Sequence, residues 1–165
     1  MGKITIQNAK TAEYRNIDLN NLFDPETKHK QSFGFGKATV SQPQNIGGQL
    51  FVSFYTLQPG DANYPYHYHT SSEELYYIIS GTGTLTTPSG DKTVREGDVI
   101  MFPVGAGGAH QLINTSDAPL VYLDVDTATQ AEVVFYPNKG DFSIITPAIR
   151  KNFSLDSEVN YLRNE

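Results

Sequence analysis

The 165-residue chain contains no cysteine, no tryptophan and only four histidines. Without thiols there is no disulfide framework, no thiolate zinc cluster, no iron–sulfur site and no cysteine nucleophile. Positive charge is also scarce: 12 Lys and Arg stand against 18 Asp and Glu, a formal charge of −6. Binding to nucleic acid or an anionic membrane draws on clustered Lys and Arg, so neither is an expected partner. The single basic cluster, Lys28-His29-Lys30, is short and sits in a charged loop that begins at Asp24-Pro25; His29 is assigned no chemistry. No run approaches the roughly 18–20 apolar residues of a membrane-spanning helix. The start MGKITIQNAK lacks an export stretch and fails the myristoylation pattern, because Ile6 stands where Ser or Thr is required. These features point to the cytoplasm, where the sequons at Asn114 and Asn152 carry no meaning. A chain of this length buries roughly 68–70% of its unfolded surface. One domain with a core of its own is expected, and a metal here would serve function rather than folding.

What the chain does have is β pattern. Residues 1–48 are polar and weakly periodic, with turn formers at Asp24-Pro25, Gly34, Gly36 and Gly47-Gly48, and read as an arm with one or two edge strands. From residue 49 to 136, short runs rich in Val, Ile, Phe, Tyr and Thr alternate with turn signals. The runs are Leu50–Leu57, Glu74–Ile79, Gly83–Thr87, Thr93–Arg95, Val99–Phe102, Gln111–Ile113, Leu120–Asp126 and Glu132–Tyr136. Eight short strands at close spacing predict an all-β double sheet closed on itself, a jelly roll. Residues 137–165 are polar with scattered aromatics and read as a tail wrapping the barrel or a neighbouring subunit. There is no internal repeat, no convincing interior helix and no room for a separate DNA-binding domain.

Three histidines fall in the barrel region. His67 and His69 are two apart, so on an extended strand both face the same way. Thr70-Ser71-Ser72 reads as a turn that returns the chain, bringing an acidic residue, Glu73 or Glu74, alongside them; adjacent strand residues face opposite sides, so only one can join. His110 follows Gly105-Ala106-Gly107-Gly108 and opens another strand. An isolated H-x-H is more often an exposed or satisfied pair than a ligand pair. The larger set, three imidazoles and a carboxylate without thiolates, suits one divalent Fe, Mn, Ni, Zn or Cu ion and leaves positions open for a substrate.

The spacing resembles that of the cupin family. Its first motif, G-x5-H-x-H-x3,4-E-x6-G, is matched by Gly60, His67, His69, Glu74 and Gly81, with one extra residue after Gly60. That spacing selects Glu74 over Glu73. The second motif, G-x5-P-x-G-x2-H-x3-N, is matched by Gly97, Pro103, Gly105, His110 and Asn114, with two extra residues before His110. The resemblance covers residues 50–127 closely. It implies a double-stranded β-helix, or cupin barrel, with extended N- and C-terminal arms. It also implies metal ligands at His67, His69, Glu74 and His110, structural glycines, and a homodimer. Cupins include dioxygenases, decarboxylases, sugar isomerases, storage proteins and sensors, so the fold does not choose the reaction.

Tyr76 shares the parity of Glu74 and is the expected catalytic side chain; Tyr66 and Phe102 are expected substrate contacts among the aromatics near the motif. The Gly105–Gly108 segment lacks a P-loop Lys-Ser/Thr and reads as a flexible rim. No serine sits in G-x-S-x-G. The expected function is therefore metal-dependent action on a small polar molecule, by oxidoreductase, dioxygenase or isomerase chemistry. The alternative is a non-catalytic, metal-dependent module that binds a sugar or carboxylate.

Overall fold

A computed structural model describes residues 4–20, 31–41 and 49–159; Asp24-Pro25, His29 and Gly47-Gly48 lie outside the described residues. All eight expected runs are strands. In chain order they are β3 (Leu50–Leu57), β6 (Glu74–Ser80), β7 (Thr82–Thr87), β8 (Gly90–Arg95), β9 (Val99–Phe102), β10 (Gln111–Ile113), β11 (Leu120–Thr127) and β12 (Glu132–Tyr136). Six more appear: β1 (Arg15–Asp18), β2 (Ser32–Ser41), β4 (Asp61–Ala62), β5 (Tyr68–His69), β13 (Asp141–Ile145) and β14 (Arg150–Ser154). Among the described residues, no helix is long and apolar enough to cross a membrane.

The larger sheet has the order β8-β7-β10-β4-β2-β3-β11-β6-β9, with β1 paired to β2. Strands β8 and β9 stand at opposite ends of that order, yet only the turn Glu96-Gly97-Asp98 joins them. Gly97 donates to the Ile78 carbonyl and Ile78 donates to the Asp98 carbonyl, each at 2.9 Å. The sheet must therefore curl until its ends meet, which gives the closed all-β barrel. A second sheet, β14-β13-β12-β5, lies beside it.

Strand β2 differs from the edge position expected for the first 48 residues. It lies inside the large sheet, antiparallel to β3 and parallel to β4. Its glycines suggested turns, but they serve close packing: a Cβ at Gly36 would stand 2.6 Å from the Thr56 methyl. Phe33, Phe35 and Ala38 on this strand are buried. The tail from Pro137 likewise contributes β13 and β14, which extend from β12, and β12 in turn pairs with β5.

Register sorts the barrel interior into layers. Leu120 faces Leu57 across β11 and β3, and Ile78 lies close by on β6; all three are fully buried. One step along, Tyr122 faces Tyr55, with rings stacked at 5.1 Å, and Tyr76 packs on Tyr122 at 4.7 Å. A further step brings Ser53 opposite Asp124, and Asp126 opposite Glu74. Side chains two apart on a strand share a face, so the same inward face runs from aliphatic floor through a tyrosine layer to a polar end. Floor and surface should respond differently to substitution. Leu120→Ala is expected to cost about 2–5 kcal/mol, while Val99→Thr, 62% exposed on β9, should stay within about 0.5 kcal/mol; urea unfolding of both variants checks the layering.

Candidate metal centre

The polar end gathers the residues singled out by spacing. His67 and His110 are joined by an isolated antiparallel bridge: His67 donates to the His110 carbonyl at 3.1 Å and His110 to the His67 carbonyl at 2.8 Å. This sets their rings 4.6 Å apart, and His69, on the same face, places its ring 5.2 Å from that of His67. The turn after His69 brings Glu74 back as expected. Glu74 Oε2 lies 3.6 Å from His69 Nε2 and 3.0 Å from His110 Nε2. Glu73 points outward and is exposed. His67, His69 and Glu74 offer ligand atoms within 4.8 Å of one another, and His110 joins them through Glu74.

Backbone carbonyls fix two of the rings. His67 Nδ1 lies 2.9 Å from the Pro65 carbonyl and His110 Nδ1 lies 2.9 Å from that of Gly108. A carbonyl can only accept, so the proton sits on Nδ1 and Nε2 is left toward Glu74. Gly108 does this as part of a packed turn rather than the flexible rim expected. A Cβ there would stand 1.9 Å from the Pro103 carbonyl oxygen, and Gly105 N–H is tied to the His69 carbonyl at 2.7 Å.

The electrostatics suit a cation. Glu74 Oε2 is buried and satisfied by no hydrogen bond. Burial by itself would raise the Glu74 carboxyl; positive charge on the facing imidazoles, His110 foremost, outweighs burial and holds it at about 2, and with those imidazoles neutral a bound cation takes over that role. Burial, reinforced by His110, lowers His67 to about 3, so this imidazole stays neutral and able to ligate. Three imidazole nitrogens around an orphaned carboxylate oxygen make a group that could hold a divalent ion.

The other expected site residues stand behind this group. Tyr76 is fully buried, its hydroxyl 3.4 Å from His110 Nε2 and 3.1 Å from Asn63 Nδ2. Burial, followed by the Glu74 charge, pushes its phenol well up. Phe102 stacks on the His110 ring at 3.6 Å, a packing contact. Tyr66 is half-buried in the bend just before His67. None of the three lines the cavity that opens from Glu74.

That cavity, of about 720 Å³, is lined instead by residues that spacing did not reveal, including Lys37, Tyr55, Asp124, Asp126, Glu132 and Arg150. Asp124 Oδ1 and Asp126 Oδ1 have no hydrogen-bond partner. Burial, reinforced by Glu74, raises both carboxyls, Asp126 to about 8. Lys37 donates to the Tyr55 hydroxyl at 2.6 Å; burial lowers its ammonium, and Asp124 and Asp126 oppose that shift. Four carboxylates, of Glu74, Asp124, Asp126 and Glu132, thus share the lining with two cations, Lys37 and Arg150. The one signal in the sequence was the period-two series Tyr122, Asp124, Asp126 on a strand whose alternate residues are apolar.

The chain matches the Cupin domain family over residues 53–126. Over 135 residues it is 29% identical to the glucose-6-phosphate isomerase of Thermococcus litoralis, an alignment covering 72% of this chain and 70% of that protein. It is also 30% identical over 97 residues to the oxalate decarboxylase OxdC of Bacillus subtilis, covering 54% of this chain but only 24% of that protein. A solved sugar phosphate isomerase of the cupin superfamily from Silicibacter pomeroyi superposes with a TM-score of 0.71 at 24% identity, over 91% of this chain and 92% of that one. The curled sheet, the paired histidine motifs in register and the family match agree: the chain carries a small cupin-type domain.

Proposed function

We propose that this chain is a metal-dependent isomerase of a small, polyhydroxylated, anionic molecule of the sugar phosphate class, with one divalent ion held by His67, His69, Glu74 and His110. The observation that carries the reading is the orphaned Glu74 oxygen, ringed by three imidazoles at the end of a polar cavity. When bound, the ion supplies Lewis acidity toward the carbonyl and hydroxyl oxygens of a substrate.

The remaining roles belong to the protein. Aldose–ketose isomerisation moves one proton between adjacent carbons and needs a base positioned over them. Asp124 and Asp126 face the cavity with an unpartnered oxygen each; one, ionised, lifts the proton from carbon and returns it to the neighbouring carbon, and the other, kept protonated by burial, gives its proton to the carbonyl oxygen and recovers one from the adjacent hydroxyl. Lys37 and Arg150 offer the positive charge that an anionic group requires. Tyr76, which touches His110 from behind, acts as a positioning residue for that ligand, and Phe102 supports the same ring. The polar lining favours isomerase over oxidoreductase chemistry on an apolar substrate, as does the similarity to the Thermococcus litoralis isomerase.

Purified protein is expected to hold close to one divalent ion per chain by elemental analysis. The double variant His67→Ala, His69→Ala should lose it while keeping its β-type circular dichroism; full metal content in that variant would remove these ligands. Metal-loaded protein should interconvert aldose and ketose phosphates in D2O with solvent deuterium entering at C1 of the ketose and C2 of the aldose, followed by NMR. Asn in place of whichever aspartate is the base, Asp124 or Asp126, should lower kcat by about 10²–10⁴-fold. Tight binding of sugar phosphates without turnover of any would instead establish the non-catalytic module.

A further inference from the structure

Two of the three imidazoles have their Nδ1 fixed by a backbone carbonyl, and His69 does not. Its Nδ1 is buried without a hydrogen-bond partner. The group it faces is Glu132, whose Oε1 lies 3.9 Å away. Glu132 opens β12, the strand that pairs with β5 so that Val134 stands opposite His69, and it is 6% exposed. A carboxylate this buried is costly unless it is hydrogen-bonded. Glu132 meets that requirement through the short segment that separates His69 from Glu74. Its Oε1 accepts from the backbone N–H of Thr70 at 2.8 Å, from that of Ser71 at 3.3 Å and from the Thr70 hydroxyl at 3.3 Å. Its Oε2 accepts from the hydroxyls of Ser72 at 2.8 Å and Thr129 at 3.4 Å.

One carboxylate therefore does two things at once. It fastens the turn whose length brings Glu74 back to the histidines, and it presents negative charge to the outer nitrogen of the one imidazole that no carbonyl holds. Histidines that ligate metals give their second ring N–H to an acceptor, which fixes the tautomer and raises basicity. Pro65 and Gly108 supply that acceptor for His67 and His110. We propose that Glu132 supplies it for His69, as a positioning residue that closes onto Nδ1–H when Nε2 takes the ion, and so sets the metal affinity of the centre from the second sheet. The inference rests on the metal-site reading above.

The test compares wild-type protein, Glu132→Gln and Ser72→Ala by titration with Co(II), reading affinity and the visible ligand-field spectrum. Glu132→Gln keeps an oxygen for the Thr70 and Ser71 N–H groups but removes the charge facing His69. It is expected to weaken Co(II) binding by about 10–100-fold and to shift the spectrum. Ser72→Ala removes one tether of the turn and leaves the charge; its affinity should stay within about threefold of wild type, with an unchanged spectrum. Equal affinity and spectrum in Glu132→Gln would overturn the proposal. So would an equal loss in both variants with unaltered spectra, which would make Glu132 a tether of the turn alone. Wild-type protein that binds no Co(II) would defeat the metal centre itself, a result distinct from these. If Glu132→Gln does not fold, the bond is read directly in Zn(II)-loaded wild type with ¹⁵N-labelled histidine. A slowly exchanging Nδ1–H on His69 supports the proposal, and its absence overturns it.

Discussion

A carboxylate inside a β-barrel sets the terms for the rest of this structure. Glu74 is 5% exposed, and an ionised carboxylate moved that far from water costs several kcal/mol unless opposite charge or donors compensate it. The barrel gathers its compensation from three directions: β5 with its approach, the turn before β10 and, through the cavity, Lys37 on β2. The isolated bridge between His67 and His110 is the step that makes this possible. It ties the loop after β4 to the start of β10, and so brings two histidines 43 positions apart in the chain to adjoining places around one oxygen.

The layering of the interior follows from the same constraint. Aliphatic side chains can fill a closed barrel without leaving polar atoms to satisfy, and Leu57, Leu120 and Ile78 do so at one end. A direct step from that floor to carboxylates would leave apolar surface against ionised groups. The tyrosines intervene, with rings that stack on one another and hydroxyls that reach the polar end. Asn63 completes the transition. Its amide reaches the hydroxyls of Tyr76 and Tyr122 at 3.1 and 3.4 Å and its oxygen accepts from Leu112 N–H at 3.2 Å. Tyr76 thus belongs to the support of the centre rather than to its cavity wall.

How much of this was legible in the sequence depends on separation along the chain. His67 and His69 declare themselves by period two, and Glu74 by its place after a short turn. The eight strands declare themselves by runs of β-branched and aromatic residues between turn formers. Strand β2 was obscured by Gly34 and Gly36, whose small size serves close packing as readily as a turn. Lys37, Glu132 and Arg150 were invisible for a different reason. Each reaches the cavity only through sheet pairing, and no local pattern encodes which strand will lie beside which. Asp124 and Asp126 were a partial exception, because acidic residues on the inward parity of a strand conflict with a purely apolar interior.

That conflict is the most direct argument from fold to function. A barrel that needed only stability would carry apolar side chains at the inward positions of β11, since replacing buried ion networks with packed hydrophobic groups is often neutral or stabilising. Here the inward face of β11 ends in Asp124 and Asp126, each with an oxygen that no protein donor satisfies. Lys37 answers part of that charge from β2, and its ammonium is already engaged by the Tyr55 hydroxyl. The acceptors left over line a cavity roomy enough for a small molecule, and hydroxyl groups are the donors such a molecule would bring. The strain of keeping these carboxylates buried is therefore concentrated beside the three imidazoles. There a ligand with several hydroxyls and a bound cation would together complete what the protein leaves unpaired.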